Sequence, residues 1–340
     1  AAATTQLAYL GVSRCALEAD GLLTLLQGIE LNDKLSDVAV DASANPIGTL
    51  GAYMLAAALP RLRRLGSLSL NDAARGPELT PDVEHASPNT PVGSGGGAVA
   101  FGSLIIDALL AEGAPSLTEL ALGLNPASQP TLLVASVHQL LAVKGSRLHT
   151  LVLAGGATFR LKGELTMLLA NVVAAAGAGG AALTYIDVSS HQTGDALLDV
   201  LPPLLTGPHA PPTLLIHDNH LSVSALEQLG MAMAGASGSD APCHTELLVV
   251  THDDARHALN VELALKRPKE TVAKRLQMAV NRVHELVAAN RARKRLYPRM
   301  RYPKCADGTT RLLTWPNWLE LLGGDGSALP PTLGASASKW

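Results

Sequence analysis

Leu117-Thr118-Glu119-Leu120-Ala121-Leu122-Gly123-Leu124-Asn125 places three leucines at spacings of three and two, then closes with an asparagine three residues on. Alternating apolar residues have the period of a β-strand with one buried face. The same phrase begins at Leu7, Leu35, Leu65, Leu117, Leu148, Leu183, Pro211 and Thr245. Its apolar triplets are Leu7/Leu10/Val12, Leu35/Val38/Val40, Leu65/Leu68/Leu70, Leu117/Leu120/Leu122, Leu148/Leu151/Leu153 and Leu183/Ile186/Val188, with weaker copies at Leu214/Ile216 and Leu248/Val250. Three positions after the last apolar residue stands a stop residue: Cys15, Ser43, Asn125, Gly156, His191, Asn219 or Asp253. A short polar side chain there can bond backbone groups of the turn.

Successive phrases start 28, 30, 52, 31, 35, 28 and 34 residues apart. This period and phrase are those of a leucine-rich repeat, and most intervals leave room for a full helix after each strand. Tyr53 to Leu59, Ala196 to Leu201 and Ala225 to Met231 are rich in the Ala and Leu that favour helix. The predicted fold is an α/β leucine-rich-repeat solenoid, a horseshoe with a parallel sheet inside, helices outside and a closing C-terminal helix. The 52-residue interval carries an insertion at 71–97, marked by Pro77, Pro81, Pro88, Pro91 and the glycine run from Gly93. Gly93-x-Gly95-x-x-Ala98 imitates a dinucleotide fingerprint but lacks the preceding strand and the acidic partner.

Apolar residues are 47% of the 340 but aromatics only 3%, which suits a core of aliphatic ladders. A solenoid escapes the usual size limit of a single core because each repeat touches only its neighbours. Cys15, Cys243 and Cys305 are too scattered for a disulfide framework or a zinc site, which implies a reducing, cytoplasmic setting. No apolar run has the length to span a bilayer, so a soluble chain is expected. The first phrase starts at Leu7, and solenoids need polar end caps, so a piece of a longer protein is expected.

The net charge of -3 conceals an uneven distribution. Between Lys266 and Lys304 stand thirteen Lys or Arg against Glu270 and Glu285, a local balance of +11; the rest of the chain carries -14. Opposite charges in one chain attract, so the basic segment either packs on the acidic array or meets an acidic partner, nucleic acid or an anionic membrane surface. Within it, from about Lys269 to Leu296, Val272, Leu276, Ala279, Val283, Leu286 and Asn290 form an amphipathic helical stripe, followed by Arg291, Arg293, Lys294 and Arg295. The stripe closes the array, pairs with a second copy as a short coiled coil, or does both. Trp315-Pro316-Asn317-Trp318 opens a docking turn. Three regions are thus expected: an array of about eight repeats over 1–260, a basic helix over 261–304 and an extension over 305–340.

Chemistry is hard to find. The chain has no nucleophile elbow, zincin or phosphate-loop motif, so no catalytic residue, metal ligand or cofactor is expected. His217-Asp218-Asn219-His220 and, one repeat later, His252-Asp253-Asp254 form the densest polar group, read as turn structure. Positions between the ladder residues should face the concave side. Tyr9, Asp37, Asp41, Asp72, Glu119, Tyr185, Asp187, His217 and Asp218 are the candidate protein-binding residues there, set among small side chains. A mildly acidic surface without a pocket suits protein docking and not a small-molecule substrate.

The C-terminal stretch is more particular. His217-Asp218-Asn219-His220-Leu221, the helical run Leu226 to Met233, the weak strand Leu248-Val250, Arg267-Pro268-Lys269-Glu270-Thr271 and the helix ending Asn290-Arg291-Ala292-Arg293-Lys294 resemble the end of the array in the CARMIL family of actin-capping-protein regulators. The likeness covers about residues 205–295. It implies a non-enzymatic cytoplasmic scaffold that binds actin-regulatory proteins and homodimerises through the array and its closing helix. Arg267-Pro268-Lys269 repeats a triplet of the family's capping-protein-binding motif, while Asn260, Glu262 and Ala264 replace the Leu, His and Thr upstream of it. The alternative is a structural subunit of a cytoskeletal or ribonucleoprotein assembly that uses the basic segment.

Overall fold

The computed structural model describes residues 7–74, 101–112, 117–125, 130–144, 146–157, 159–207, 209–238, 247–248, 252–265 and 268–293. They belong to two compact units, Ala1–Asp187 and Val188–Trp340. Of the expected insertion, residues 75–97 lie outside this set, as do Lys294, Arg295 and the tryptophan turn.

In the first unit strands and helices alternate: β1 (Tyr9–Gly11), α1 (Ala19–Leu31), β2 (Val38–Asp41), α2 (Gly48–Ala58), β3 (Leu65–Ser69), α3 (Phe101–Glu112), β4 (Glu119–Ala121), α4 (Pro130–Ala142), β5 (Thr150–Val152), α5 (Gly163–Gly177) and β6 (Tyr185–Asp187). The six strands are parallel and neighbour one another in chain order. Parallel neighbours require a crossover, and each helix supplies one. The ladder Leu10, Val40, Leu68, Leu120, Leu151, Ile186 runs across the sheet in register. From Val40 onward its members are at most 1% exposed, each burial contributing about 2 kcal/mol. The helices follow suit, α1 against α2, α2 against α3, α3 against α4 and α4 against α5. Their inner stripes, such as Leu165, Leu168, Leu169 and Val172 on α5, recur at helical spacing.

Repeat two departs from the expected alignment. Leu10 pairs with Val40 and Val40 with Leu68, so Val40 and Ala42 occupy the places of Leu68 and Leu70, and the phrase slides two residues downstream of the Leu35 start. The register shift between Val38 and Ala39 absorbs the slip. A shift of two keeps every side chain on its own face, so alternation alone does not reveal it. The stop residue of this repeat is therefore Asn45, 1% exposed, and not Ser43.

The second unit contains α6 (Leu201–Thr206), β7 (Thr213–Leu215), α7 (Val223–Gly238), β8 (Leu247–Leu248), α8 (His252–Ala264) and α9 (Lys269–Arg293). β7 and β8 are parallel, with Thr213 opposite Leu247 and Leu214 opposite Leu248. The helix expected over 196–201 is instead a 3-10 turn, Gly194–Asp199, after which α6 starts afresh. Pro202 and Pro203 lack N–H groups and are tolerated only in a first turn, which forces the restart. His252, expected in a turn, begins α8.

α9 is described from Lys269 to Arg293, and Lys294 to Leu296 of the expected helix lie outside the described residues. Val272, Leu276, Ala279, Val283 and Leu286 are at most 8% exposed, and α9 packs on α7 and α8. The stripe is consumed by packing within its own chain.

Candidate functional site

Two rows of side chains lie on the sheet face opposite the buried ladder of the first unit. One runs Tyr9, Ala39, Ser67, Glu119, Thr150, Tyr185; the other runs Gly11, Asp41, Ser69, Ala121, Val152, Asp187. Alternation along each strand sends these residues away from Leu68 and its equivalents. Tyr9 is 57% exposed, and Asp41, Glu119 and Tyr185 are half-buried. Ser43 and Ser69 hydroxyls bond each other at 2.8 Å, and Asp41 accepts the Ser43 N–H, so part of the row is held by its own polar groups. Burial, and secondly the negative charge of Asp187, pushes the Tyr185 hydroxyl far above its ordinary range, so the phenol stays protonated at any physiological pH.

Three expected face residues are placed differently. Asp37 precedes β2 with a positive φ of 50°, displaced from the row by the slip in repeat two, and lies 4.0 Å from Arg147 with both side chains more than half exposed. Asp187 is 4% exposed and His217 5%, so neither offers a landing point. Thr213 and Leu215 of β7 are likewise buried, at 0% and 1%. Asp72 and Asp218 are half-buried, but both sit in the left-handed region, φ 52° and 57°, at the residue before the stop. Arg14, Ala44, Leu124 and Ser190 share that conformation at the equivalent place. The turn after most strands thus has one repeated shape, with side chains aimed by the backbone.

The stop side chains hold these turns. Asn45 donates to the carbonyls of Val12 and Ala42 and accepts the N–H groups of Cys15 and Leu17. Asn125 does the same two strands along, donating to Leu70 and Leu122 and accepting from Ala73 and Ala74. Asn219 donates to Val188 and Ile216, but its Oδ1 is buried without a donor. In the last repeat Asp254 and not Asp253 fills the role, accepting the N–H groups of Asp218 at 2.7 Å and His220 at 3.0 Å. Asn45, Asn125, Asn219 and Asp254 thus each stitch a turn to the one before it, which gives these buried polar side chains a structural role.

Around Asp254 the second unit gathers its densest set of titratable groups. His220 stacks on His257 of α8 with ring centroids 4.1 Å apart and planes 11° from parallel. Burial, and then the neighbouring His220, pushes the His257 imidazole below its ordinary range, against weaker opposing pulls from Asp254 and Asp195. Asp195 bonds the hydroxyl and N–H of Ser222, His217 Nε2 lies 3.9 Å from Asp218 Oδ2, and Ser190 Oγ lies 3.4 Å from the same oxygen. Among the described residues no three His, Cys, Asp or Glu side chains are placed to hold a metal ion.

On α9, Arg275 makes a two-pronged bond to Glu227 of α7, 3.0 and 2.6 Å. Asn290, Arg291 and Arg293 lie in its last turns. Between α3 and α4 runs an open groove of about 410 Å³, lined by Asp107, Leu110, Leu132, Ala135, Ser136 and Gln139. Among the described residues no helix is long and apolar enough to cross a membrane. No protein-family model matches the chain, and no curated protein matches its sequence.

Proposed function

We propose that the chain is a leucine-rich-repeat solenoid that acts as a non-enzymatic docking scaffold for other proteins, CARMIL-like in its C-terminal part. The observation that carries this is the in-register strip Tyr9–Ala39–Ser67–Glu119–Thr150–Tyr185: small side chains and one glutamate between two tyrosines, on a strand face turned away from the core. Tyrosine gives large contact area for little conformational entropy, and a flat strip between tyrosines suits a protein surface better than a small ligand. Glu119 within the strip and Asp41 in the row beside it make this face acidic and select a partner with a basic face. The proposed partners are actin-regulatory proteins in the cytoplasm, on the strength of the resemblance over residues 205–295.

Affinity capture from a cytosolic extract with the whole chain and with a Tyr9→Ala/Glu119→Lys variant tests the reading. Actin regulators that are retained by the first and lost from the second support it. Partners retained equally by both place docking elsewhere, and an absence of actin regulators removes the family part.

A further inference from the structure

Asp218, Asn219 and His220 form the turn after β7, and Asp218 and His220 both hold positive φ, 57° and 62°. α8 grips this turn twice. Its first turn supplies the Asp254 carboxylate to the two N–H groups, and one turn later His257 lays its ring on that of His220. Three residues separate Asp254 from His257, the spacing that puts both on one helix face.

We propose that the His220–His257 stack is a proton-operated clasp joining α8 to the β7 turn, closed while the imidazoles are neutral and loosened when both carry a proton. Two imidazolium rings face to face at 4.1 Å repel, whereas two neutral rings attract. The groups acting on His257 are known on each side. His220 comes from the β7 turn, Asp254 from α8 itself, and Asp195 from the 3-10 turn before α6. The carboxylates favour a proton, while burial and the facing ring oppose it and prevail. α7 and α9 also pack on α8; Glu227 of α7 pairs with Arg275 of α9, which is also drawn to Glu262 two turns down α8 from Asp254, while Lys274, Arg282 and Glu285 of α9 are exposed. The Arg275 guanidinium is satisfied by its bidentate carboxylate.

Loosening exposes a defined element. α8 carries Ala258, Leu259 and Glu262 buried, and release of its first turn uncovers the start of that face while α9 retains its own stripe on α7. Histidine is the side chain suited to such a transition near neutrality. Acidification thereby changes the surface that this end of the chain presents.

Hydrogen exchange of the whole chain, followed by mass spectrometry from pH 7.5 to 5.5 and corrected for the intrinsic exchange rate, reads the clasp. Protection over His252–Ala264 should fall on acidification, approaching about tenfold per pH unit for each extra proton bound on opening. Peptides of α4 and α5 should not change. His257→Gln and His220→Gln should each flatten the response. An unchanged pH response in both variants, or protection of α8 that does not depend on pH, overturns the clasp. Should the variants fail to fold, NMR titration of the native chain decides: His257 protonating at or above the ordinary histidine range refutes the proposal.

Discussion

Asn125 is the residue on which one repeat's turn hangs from the next. Its amide closes four hydrogen bonds to backbone groups of two turns, at 3% exposure, and replacing it by alanine strands two carbonyls and two N–H groups away from water. Asn125→Ala should cost about 3 to 5 kcal/mol, seen as an early urea midpoint. Asn219 offers an internal control. Only its amide nitrogen is bonded, so Asn219→Ala should cost about 1 to 2 kcal/mol less than Asn125→Ala. Equal losses would show that the oxygen's bonds contribute nothing. His257 makes the second claim at this scale. Its folded pKa lies below the unfolded value, so the folded chain binds fewer protons, and the stability it contributes is present above the ordinary histidine pKa of 6.5. That stability drains as pH falls below about 6.5, and thermal midpoints from pH 7.5 to 5.5 should decline more steeply in the native chain than in His257→Gln.

Among the elements, α9 is the one whose contribution separates most cleanly by face. Leu276 is fully buried, whereas Met278 two positions on is 72% exposed. Leu276→Ala should destabilise the second unit by about 2 to 5 kcal/mol, and Met278→Ala should stay within about 0.5 kcal/mol; parallel denaturant titrations check both. Arg275→Ala falls between them, at about 1 kcal/mol or less, because its pair with Glu227 is a third exposed. The heptad-like spacing of Val272, Leu276, Ala279, Val283 and Leu286 made this helix and its buried stripe legible from the residues alone. Which surface would cover the stripe was not legible, because closing an array and pairing with a second copy demand the same apolar pattern. β2 was misaligned for a related reason: Leu35/Val38/Val40 and Val38/Val40/Ala42 obey the same alternation, and only the burial of Asn45 tells them apart. The stacked histidines were invisible in the chain, since His257 comes from a helix and His220 from a turn 37 residues earlier.

At the scale of the whole molecule, charge and shape act together on the proposed docking strip. Asp41 and Glu119 sit on neighbouring rows of the first unit's sheet, joined through Ser67 and Ser69 of β3. The strip's acidity belongs to a chain that carries -14 outside its basic segment, so a partner with a basic face is drawn in before contact is made. Such steering acts on the rate of association and fades with salt, because exposed charges are screened within about 8 Å at physiological ionic strength. Asp41→Lys/Glu119→Lys should therefore slow association with a captured basic partner on the order of tenfold at low salt. The dissociation rate and the thermal midpoint should move little, since both side chains are half-buried and away from the leucine ladder. Surface binding kinetics across a salt series make the measurement. A variant that associates as fast as the native chain at every salt concentration would move docking off this face, whatever the tyrosines contribute.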